Sequence, residues 1–163
     1  MCRAVSTLHP KAAEVANALL QRGFGGPFRE FDVTTKTAAE AADALGCEVG
    51  AIANTLVFVA DEEPVVVFSS GAHRVDTDRL ARAAGALSAR KATADEVKMS
   101  TGQSIGGVSP VNWPQPLRVF IDGSLGRYRQ IWAACGTPNA VFATSYDELA
   151  RLTSAQSLAA VTD

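Results

Sequence analysis

Apolar residues recur at two different spacings along the chain, and these spacings divide it into helices and strands. Over residues 9–22 they return every three or four positions, which predicts a helix that ends at Gly23. Alternating or continuous apolar runs predict the strands of a sheet. The predicted strands cover residues 28–33, 55–60, 64–70, 87–92, 117–122, 128–134 and 140–144.

Four further helices are predicted, over residues 37–46, 75–85, 93–99 and 145–153, and capping patterns mark the first two of them. In the first of these, Thr37 can cap the helix with Glu40 three residues later, and Gly46 ends it. The acidic turn 61–63 joins two strands into a hairpin. Because helices and strands are interspersed without a βαβ repeat, we expect an α+β fold. The prediction is one domain over residues 1–163, with a curled, mixed, largely antiparallel sheet flanked by helices.

Composition and charge narrow the classes of function. The chain has 163 residues, 47% of them hydrophobic, and a formal net charge of -2, which argues against a broad contact with duplex nucleic acid and for a local contact with RNA. No run approaches the roughly 18 apolar residues of a membrane span, so no membrane partner is expected. The three cysteines are odd in number and far apart, which excludes a disulfide framework and favours the cytoplasm.

A glycine-rich segment at residues 101–110, TGQSIGGVSP, is the strongest candidate for chemistry. Gly102, Gly106 and Gly107 lack a Cβ atom, so a ligand can approach the main chain closely, and Pro110 fixes the end of the segment. Several N–H groups could then point at one oxygen, either of a bound anion or of an ester undergoing hydrolysis. The alternative interpretation is a plain turn between two strands.

Six strings, taken in order, resemble the YbaK/prolyl-tRNA-synthetase-associated family of aminoacyl-tRNA deacylases. The resemblance runs from about residue 8 to residue 160. It implies a free-standing editing domain that hydrolyses amino acids wrongly esterified to tRNA, chiefly tRNA for proline. The strings are TAAEAADALGC at 37–47, IANTLVF at 52–58, RVDTDRLA at 74–81, TGQSIGGVSP at 101–110, FID at 120–122 and IWAACG at 131–136.

This resemblance also implies a site and a mechanism. The family has a GxxxP loop whose backbone engages the substrate ester, and the 2′-hydroxyl of the terminal adenosine can assist, so no metal or cofactor is expected. That loop matches Gly106, Gly107, Val108, Ser109 and Pro110. Thr55 lies beside the matching pocket, and the other candidates for substrate contact are Phe31, Thr34, Val57, Asp122 and Ala134. A turn-forming role is the other interpretation of Asp122.

One position departs from the family pattern. The family has a lysine just before the TLVF strand, where this chain has Asn54. An amide donates and accepts hydrogen bonds but carries no full charge. Three interpretations stand: a different amino acid as substrate, a charge supplied by Lys36 or Lys91, or a binding protein that has lost hydrolysis. A second departure is Ala134, where some relatives carry a small hydroxyl residue, and it too indicates a changed pocket.

Other reactive residue types receive structural interpretations. His9 and His73 have no second ligand at metal spacing, so neither is expected to bind metal. Cys47 and Cys135 are predicted to be buried thiols rather than nucleophiles. A basic cluster of Arg79, Arg82, Arg90 and Lys91 is either a solvated face or a contact for RNA phosphates.

The sequence therefore predicts a metal-independent hydrolase that removes a small amino acid, such as alanine, cysteine, serine or threonine, from mischarged tRNA. Asn54 and Thr55 would contact the aminoacyl-adenosine end while the loop holds the ester carbonyl. The expected partner is the tRNA acceptor end, and an aminoacyl-tRNA synthetase is a possible second partner. The alternative is a non-catalytic module that binds an aminoacyl-tRNA end or a small ligand.

Overall fold

The computed structural model describes residues 5–32, 35 and 37–158. Within this part of the chain five α-helices alternate irregularly with strands, and no helix is long and apolar enough to cross a membrane. The helices are α1 (Pro10–Arg22), α2 (Ala38–Leu45), α3 (Thr77–Ala84), α4 (Ala94–Thr101) and α5 (Tyr146–Thr153).

Eight strands form one mixed sheet, in the order β1-β7-β6-β2-β3-β5-β8, with β4 paired to β2 beside this path. Four strand pairs are antiparallel and three, β2–β6, β3–β5 and β5–β8, are parallel. The predicted α+β class with a mixed sheet is confirmed. The strands are β1 (Phe28–Glu30), β2 (Ile52–Ala60), β3 (Glu63–Ser70), β4 (Ala89–Lys91), β5 (Arg118–Asp122), β6 (Ile131–Ala134), β7 (Ala140–Thr144) and β8 (Gln156–Leu158).

The helices begin and end where capping residues satisfy their free backbone groups. Thr37 accepts a hydrogen bond from the Glu40 N–H at the start of α2, and Gly46 ends that helix in the left-handed region with φ of 70°. Thr93 and Glu96 form a reciprocal capping box at the start of α4. These local interactions explain why the helix positions were predictable from the sequence.

The β2–β3 hairpin is the longest antiparallel pairing in the sheet, with eight residue pairs in register. Its turn places Asp61 and Glu62 at positive φ values of 47° and 73°. The Asp61 carboxylate accepts hydrogen bonds from the N–H groups of Leu87 and Ser88, at 2.8 and 3.2 Å. The hairpin turn therefore also fixes the start of β4 on the neighbouring edge.

The bounds of several strands differ from the sequence prediction: β2 begins earlier, at Ile52, and β4 is confined to Ala89–Lys91. For three other strands the difference has a physical reason. β1 ends at Glu30 because its partner β7 begins at Ala140, directly opposite. β6 begins only at Ile131, because the preceding segment Gly123–Arg127 is a 3-10 helix capped by Asp122. β8 was not predicted, since three residues are too few to show a periodic pattern.

Helices cover both faces of the sheet and bury three clusters of side chains. The largest cluster joins α1 and α5 to one face, and Phe24 meets Phe142 there edge to face at 5.4 Å. A second cluster packs α3 against Phe58 and Phe120 on the other face. The third places α2 over Ile52 and Trp132, at the end of the sheet where the candidate site lies.

Asp122 is the centre of a buried polar cluster at the end of β5. One carboxylate oxygen accepts hydrogen bonds from the Ser70 N–H at 3.1 Å and His73 Nδ1 at 2.9 Å, and the other from Ser124. Burial raises the pKa of Asp122, but hydrogen bonds from His73, Ser124 and Ser70 outweigh it and hold the pKa below the ordinary value. Folding therefore favours the charged carboxylate.

Asp122→Asn is expected to lower the free energy of unfolding near neutral pH by about 1–3 kcal/mol. The amide NH2 group would replace one carboxylate oxygen, and this new donor would face the groups that donate to that oxygen in the native protein. The stabilisation by the carboxylate is present above its unfolded pKa of about 3.9 and is lost as the pH falls through the lower folded pKa. Urea unfolding of both proteins at neutral and strongly acid pH measures this. The two stabilities should converge in acid; an equal gap at both pH values would contradict the assignment.

Candidate functional site

The candidate site begins with an interruption in the pairing of β2. One edge of β2 pairs with β3 along its whole length, while the other edge has two partners in turn. It pairs with β6 at Ile52 and Ala53, and with β4 from Phe58 to Ala60. Between them, residues 54–57 pair with no described strand on that edge, although the Val57 carbonyl accepts a hydrogen bond from the Ala92 N–H. A gap thus opens within the sheet.

A cavity of about 450 Å³ occupies this gap. Its volume falls in the range of small-molecule binding sites. The walls come from β2, β6, β7, α2, the end of β4 and the glycine-rich loop. Six residues that the sequence predicted for the site line this one cavity: Asn54, Thr55, Val57, Gly106, Val108 and Ala134.

Asn54 and Thr55 both reach the cavity although successive strand residues point to opposite faces. They can do so because the strand edge beside them is open. Asn54 is half-buried, whereas the Thr55 Oγ1 atom is buried with no hydrogen-bond partner in the described chain. A buried hydroxyl without a partner costs free energy, so it marks Thr55 as a position held for some purpose besides stability.

The glycine-rich loop follows α4 and turns sharply at Gly106, which has φ of 91° and is exposed. Gly107 lies against the β6–β7 turn, and a Cβ atom there would sit 2.8 Å from Thr137 Cα and 2.7 Å from its carbonyl carbon. Real Cβ atoms do not approach backbone so closely, so only glycine fits at 107. The two glycines are therefore required for different reasons: Gly106 shapes the turn, and Gly107 permits close packing against Thr137.

Gln103 holds the loop in place from inside. Its side-chain oxygen accepts the Ser109 N–H at 2.9 Å, and its side-chain nitrogen donates to the Val111 carbonyl at 2.8 Å. Trp113 adds a hydrogen bond from its indole N–H to the Ser109 carbonyl at 2.9 Å. The sequence interpretation missed Gln103 as a positioning residue, and the signal was a lone amide side chain inside a glycine-rich turn.

These contacts reduce the number of loop N–H groups that can serve a ligand. The Gly107 N–H donates to the Ser104 carbonyl at 3.0 Å, and the Ser109 N–H is taken by Gln103. The N–H groups of Gly106 and Val108 donate to no acceptor in the described chain, and both residues line the cavity. Among the loop residues that line the cavity, Ile105, Gly106 and Val108 therefore have N–H groups without an acceptor in the described chain.

The structure places the other predicted residues outside the cavity. Ser109 and Pro110 are buried behind the loop, and Phe31 packs in the α2 cluster with its N–H donating to the Asn139 carbonyl. Asp122 lies on β5, beyond β3 from the open edge. Thr34 lies outside the described residues, as does Lys36.

Two residues at the cavity were not singled out as pocket walls. Ile105 is 59% exposed at the loop tip and lines the cavity, so it forms an apolar rim. Lys91, which the sequence analysis named as one substitute source of charge, also lines it. No pattern in the sequence marks the face on which a three-residue strand such as β4 presents its side chains.

Cys47, Cys135, His9 and His73 are not among the residues that line this cavity. Burial raises the pKa of Cys135 to about 12, so its thiol stays protonated, and burial also raises the pKa of Cys47. His73 and Ser124 both contact Asp122. Asp122 and Ser124 contact the same ring nitrogen of His73, Nδ1, so these three side chains do not form a relay like that of a serine hydrolase. In the part of the chain that the structure describes, no group of three or more ligand side chains could hold a metal ion.

Comparison with known proteins agrees with this arrangement. The family model for the aminoacyl-tRNA editing domain matches residues 32–152. A solved structure of a candidate trans-editing enzyme for prolyl-tRNA synthetase superposes with a TM-score of 0.86 and 43% sequence identity, covering 93% of this chain and 96% of that one. The chain is also 30% identical over 121 residues to the uncharacterised protein YwhH of Bacillus subtilis, covering 74% of this chain and 76% of YwhH.

A longer relative shows the same segment within a synthetase. The proline–tRNA ligase of Ligilactobacillus salivarius is 36% identical over 87 residues, which are 53% of this chain and 15% of the ligase. The matching segment is thus a small part of that enzyme. Since the family model covers most of the chain and the sheet superposes on a family structure, the chain belongs to the aminoacyl-tRNA editing domain family.

Proposed function

We propose that this protein is a trans-editing deacylase that cleaves the ester between a small amino acid and tRNA, with tRNA for proline as the carrier. One observation carries the proposal: Gly106 and Val108, whose N–H groups donate to no acceptor in the described chain, line the same cavity as Asn54 and Thr55. Two main-chain donors at one cavity suit the oxygen of an ester carbonyl. The match of a segment of proline–tRNA ligase supports the choice of tRNA.

In the proposed reaction a water molecule attacks the carbonyl carbon of the ester. The Gly106 and Val108 N–H groups stabilise the negative oxygen of the tetrahedral intermediate. The bond to the ribose 3′ oxygen then breaks, and a proton from the attacking water passes to that oxygen, directly or through the neighbouring 2′-hydroxyl. The products are the free amino acid and tRNA with its 2′,3′-diol restored.

Side-chain nucleophiles do not enter this scheme. The Ser109 hydroxyl is fully buried and lies within hydrogen-bond distance of the Gln103 side-chain oxygen and the Val111 carbonyl. Its hydrogen-bonding capacity is used within the loop, so it does not act as the nucleophile in this scheme. Cys135 is also buried, with its pKa raised to about 12. An aminoacyl ester is already activated, so positioning and stabilisation of charge suffice for its hydrolysis.

Asn54 sets the choice of substrate in this proposal. A neutral amide at the cavity can hydrogen-bond to the aminoacyl group, and polar sites of this kind discriminate strongly against ligands that leave them unpaired. The second candidate function is a non-catalytic module that binds the aminoacyl end of tRNA. Asn54 in place of the family lysine is the observation that favours it.

Native protein is expected to release the amino acid from one small-residue ester in a panel of mischarged tRNAs, and Gly107→Ala to lower kcat/KM about a hundredfold. The added methyl group displaces the loop from Thr137, and small displacements of catalytic groups have effects of this size. Gly123→Ala is the matched control, because its Cβ atom would meet only Ser157 Oγ at an ordinary 3.5 Å. A folded Gly107→Ala protein with native turnover would show that the loop is only a turn.

Thr55→Val is expected to keep or raise the stability of the protein while weakening deacylation. The substitution keeps the shape of the side chain and removes a buried hydroxyl that has no described partner. Leaving such a group unsatisfied costs about 1–3 kcal/mol, and the valine avoids this cost. Thermal unfolding and kcat/KM, measured on the same preparation, separate the two effects. Loss of stability together with activity would assign Thr55 to the core instead.

Asn54→Lys is expected to change the ratio of kcat/KM between two small-residue esters by about tenfold or more, because it replaces an amide that contacts the aminoacyl group. The same tRNA panel measures this, and Asn54→Ala shows the effect of removing the amide without adding charge. If native protein binds tRNA without hydrolysis and Asn54→Lys gains turnover, the binding-module interpretation replaces the deacylase.

A further inference from the structure

We propose that Lys91 binds the phosphate on the 5′ side of the terminal adenosine, at the other end of the cavity from Asn54. The inference rests on the proposed function, which supplies the aminoacyl-adenosine end as the ligand. Among the described residues that line the cavity, Lys91 is the one with a charge. One cation among described lining residues that are otherwise neutral is a specific feature, since the chain as a whole carries a net charge of -2.

The position of Lys91 is fixed by main-chain pairing. Lys91 lies directly opposite Phe58 in the antiparallel pairing of β4 with β2. Paired residues project from the same face of a sheet, and so do alternate residues along a strand. Lys91 therefore shares its face with Asn54 and Leu56. The hydrogen bond from the Ala92 N–H to the Val57 carbonyl, at 3.0 Å, holds the end of β4 beside the gap.

The two basic residues of β4 have different surroundings. Arg90 projects from the opposite face, where its guanidinium donates to both carboxylate oxygens of Glu96 at 2.8 and 2.9 Å. That bidentate pair lowers the pKa of Glu96 to about 2 and occupies the guanidinium. Lys91 forms no ion pair with any acidic residue of the described chain, and it is exposed. Its ammonium group is therefore available to an anion.

Distance along the strand separates the role of Lys91 from that of Asn54. Phe58 follows Asn54 by four residues, and a rise of about 3.4 Å per residue places Lys91 about 14 Å from Asn54 along the strand direction. Lys91 thus does not replace the family lysine at the Asn54 position. The two ends of the cavity contact different parts of one ligand, the amide near the aminoacyl group and the ammonium near a phosphate. Lysine binds phosphate as a point charge.

The test uses two probes: adenosine carrying alanine through a 3′-amide, with and without a 5′-phosphate. The amide replaces the labile ester, so binding is measured without turnover. The proteins are native protein, Lys91→Met and Lys11→Met; Lys11 is an exposed lysine of α1 that does not line this cavity, so both variants lose one charge. Calorimetry gives Kd, and thermal unfolding confirms that each variant is folded.

The 5′-phosphate is expected to tighten binding about tenfold in native protein and in Lys11→Met, and to have no effect in Lys91→Met, because one charged hydrogen bond to phosphate is worth at least that factor. With amide-linked aminoacyl-tRNA, Lys91→Met should also reduce the dependence of log K on log salt by about 0.7, the contribution of one contact to single-stranded RNA.

Equal binding of both probes by native protein, or binding of neither, overturns the inference. Equal loss of the phosphate effect in Lys91→Met and Lys11→Met overturns it as well, since that would reflect overall charge. A phosphate effect that depends on Lys91, in a protein that hydrolyses none of the esters, upholds the inference and overturns the proposed deacylase. The two proposals therefore fail separately.

Discussion

Hydrogen bonding along one edge of β2 is the constraint from which the candidate site follows. A central strand ordinarily has a neighbour along each whole edge, but this edge is divided between β6 and β4. Between the two partners the Val57 carbonyl accepts the Ala92 N–H, and the rest of the stretch has no described strand beside it on this edge, which leaves room for the cavity. Asn54 and Thr55 belong to this stretch, which explains how adjacent strand residues of opposite orientation serve one cavity.

The loop on the far wall depends on contact between backbones rather than between side chains. Gly107 lies directly against the backbone of Thr137, so the loop packs on the β6–β7 turn. Gln103 and Trp113 fix the other side of the loop through Ser109. With both sides held, the remaining N–H donors are oriented before any ligand arrives, and such preorganisation is what makes electrostatic stabilisation effective.

Local chemistry in the sequence predicted part of this arrangement. Thr37 and Gly46 located the two ends of α2, and the order of short strings indicated the family and predicted that the loop and Asn54 share one site. The gap itself was not predictable, because it arises from parallel pairing between β2 and β6, which are far apart in sequence and leave no local pattern. For the same reason the sequence could not show that Phe31 and Asp122 are absent from the lining of this cavity: alternation indicates which residues share a face, but not which edge of the sheet a strand occupies.

An unpaired strand edge is ordinarily a hazard, because another chain can add a strand to it and begin aggregation. Here the unpaired stretch is short, spanning residues 54–57, and existing strands stand at both of its ends. A strand from another molecule needs a longer straight edge, whereas a single aminoacyl group does not. Under the proposed function, the divided edge would present free main-chain groups to a small ligand, and its short length would exclude the extended peptides that could otherwise compete for them.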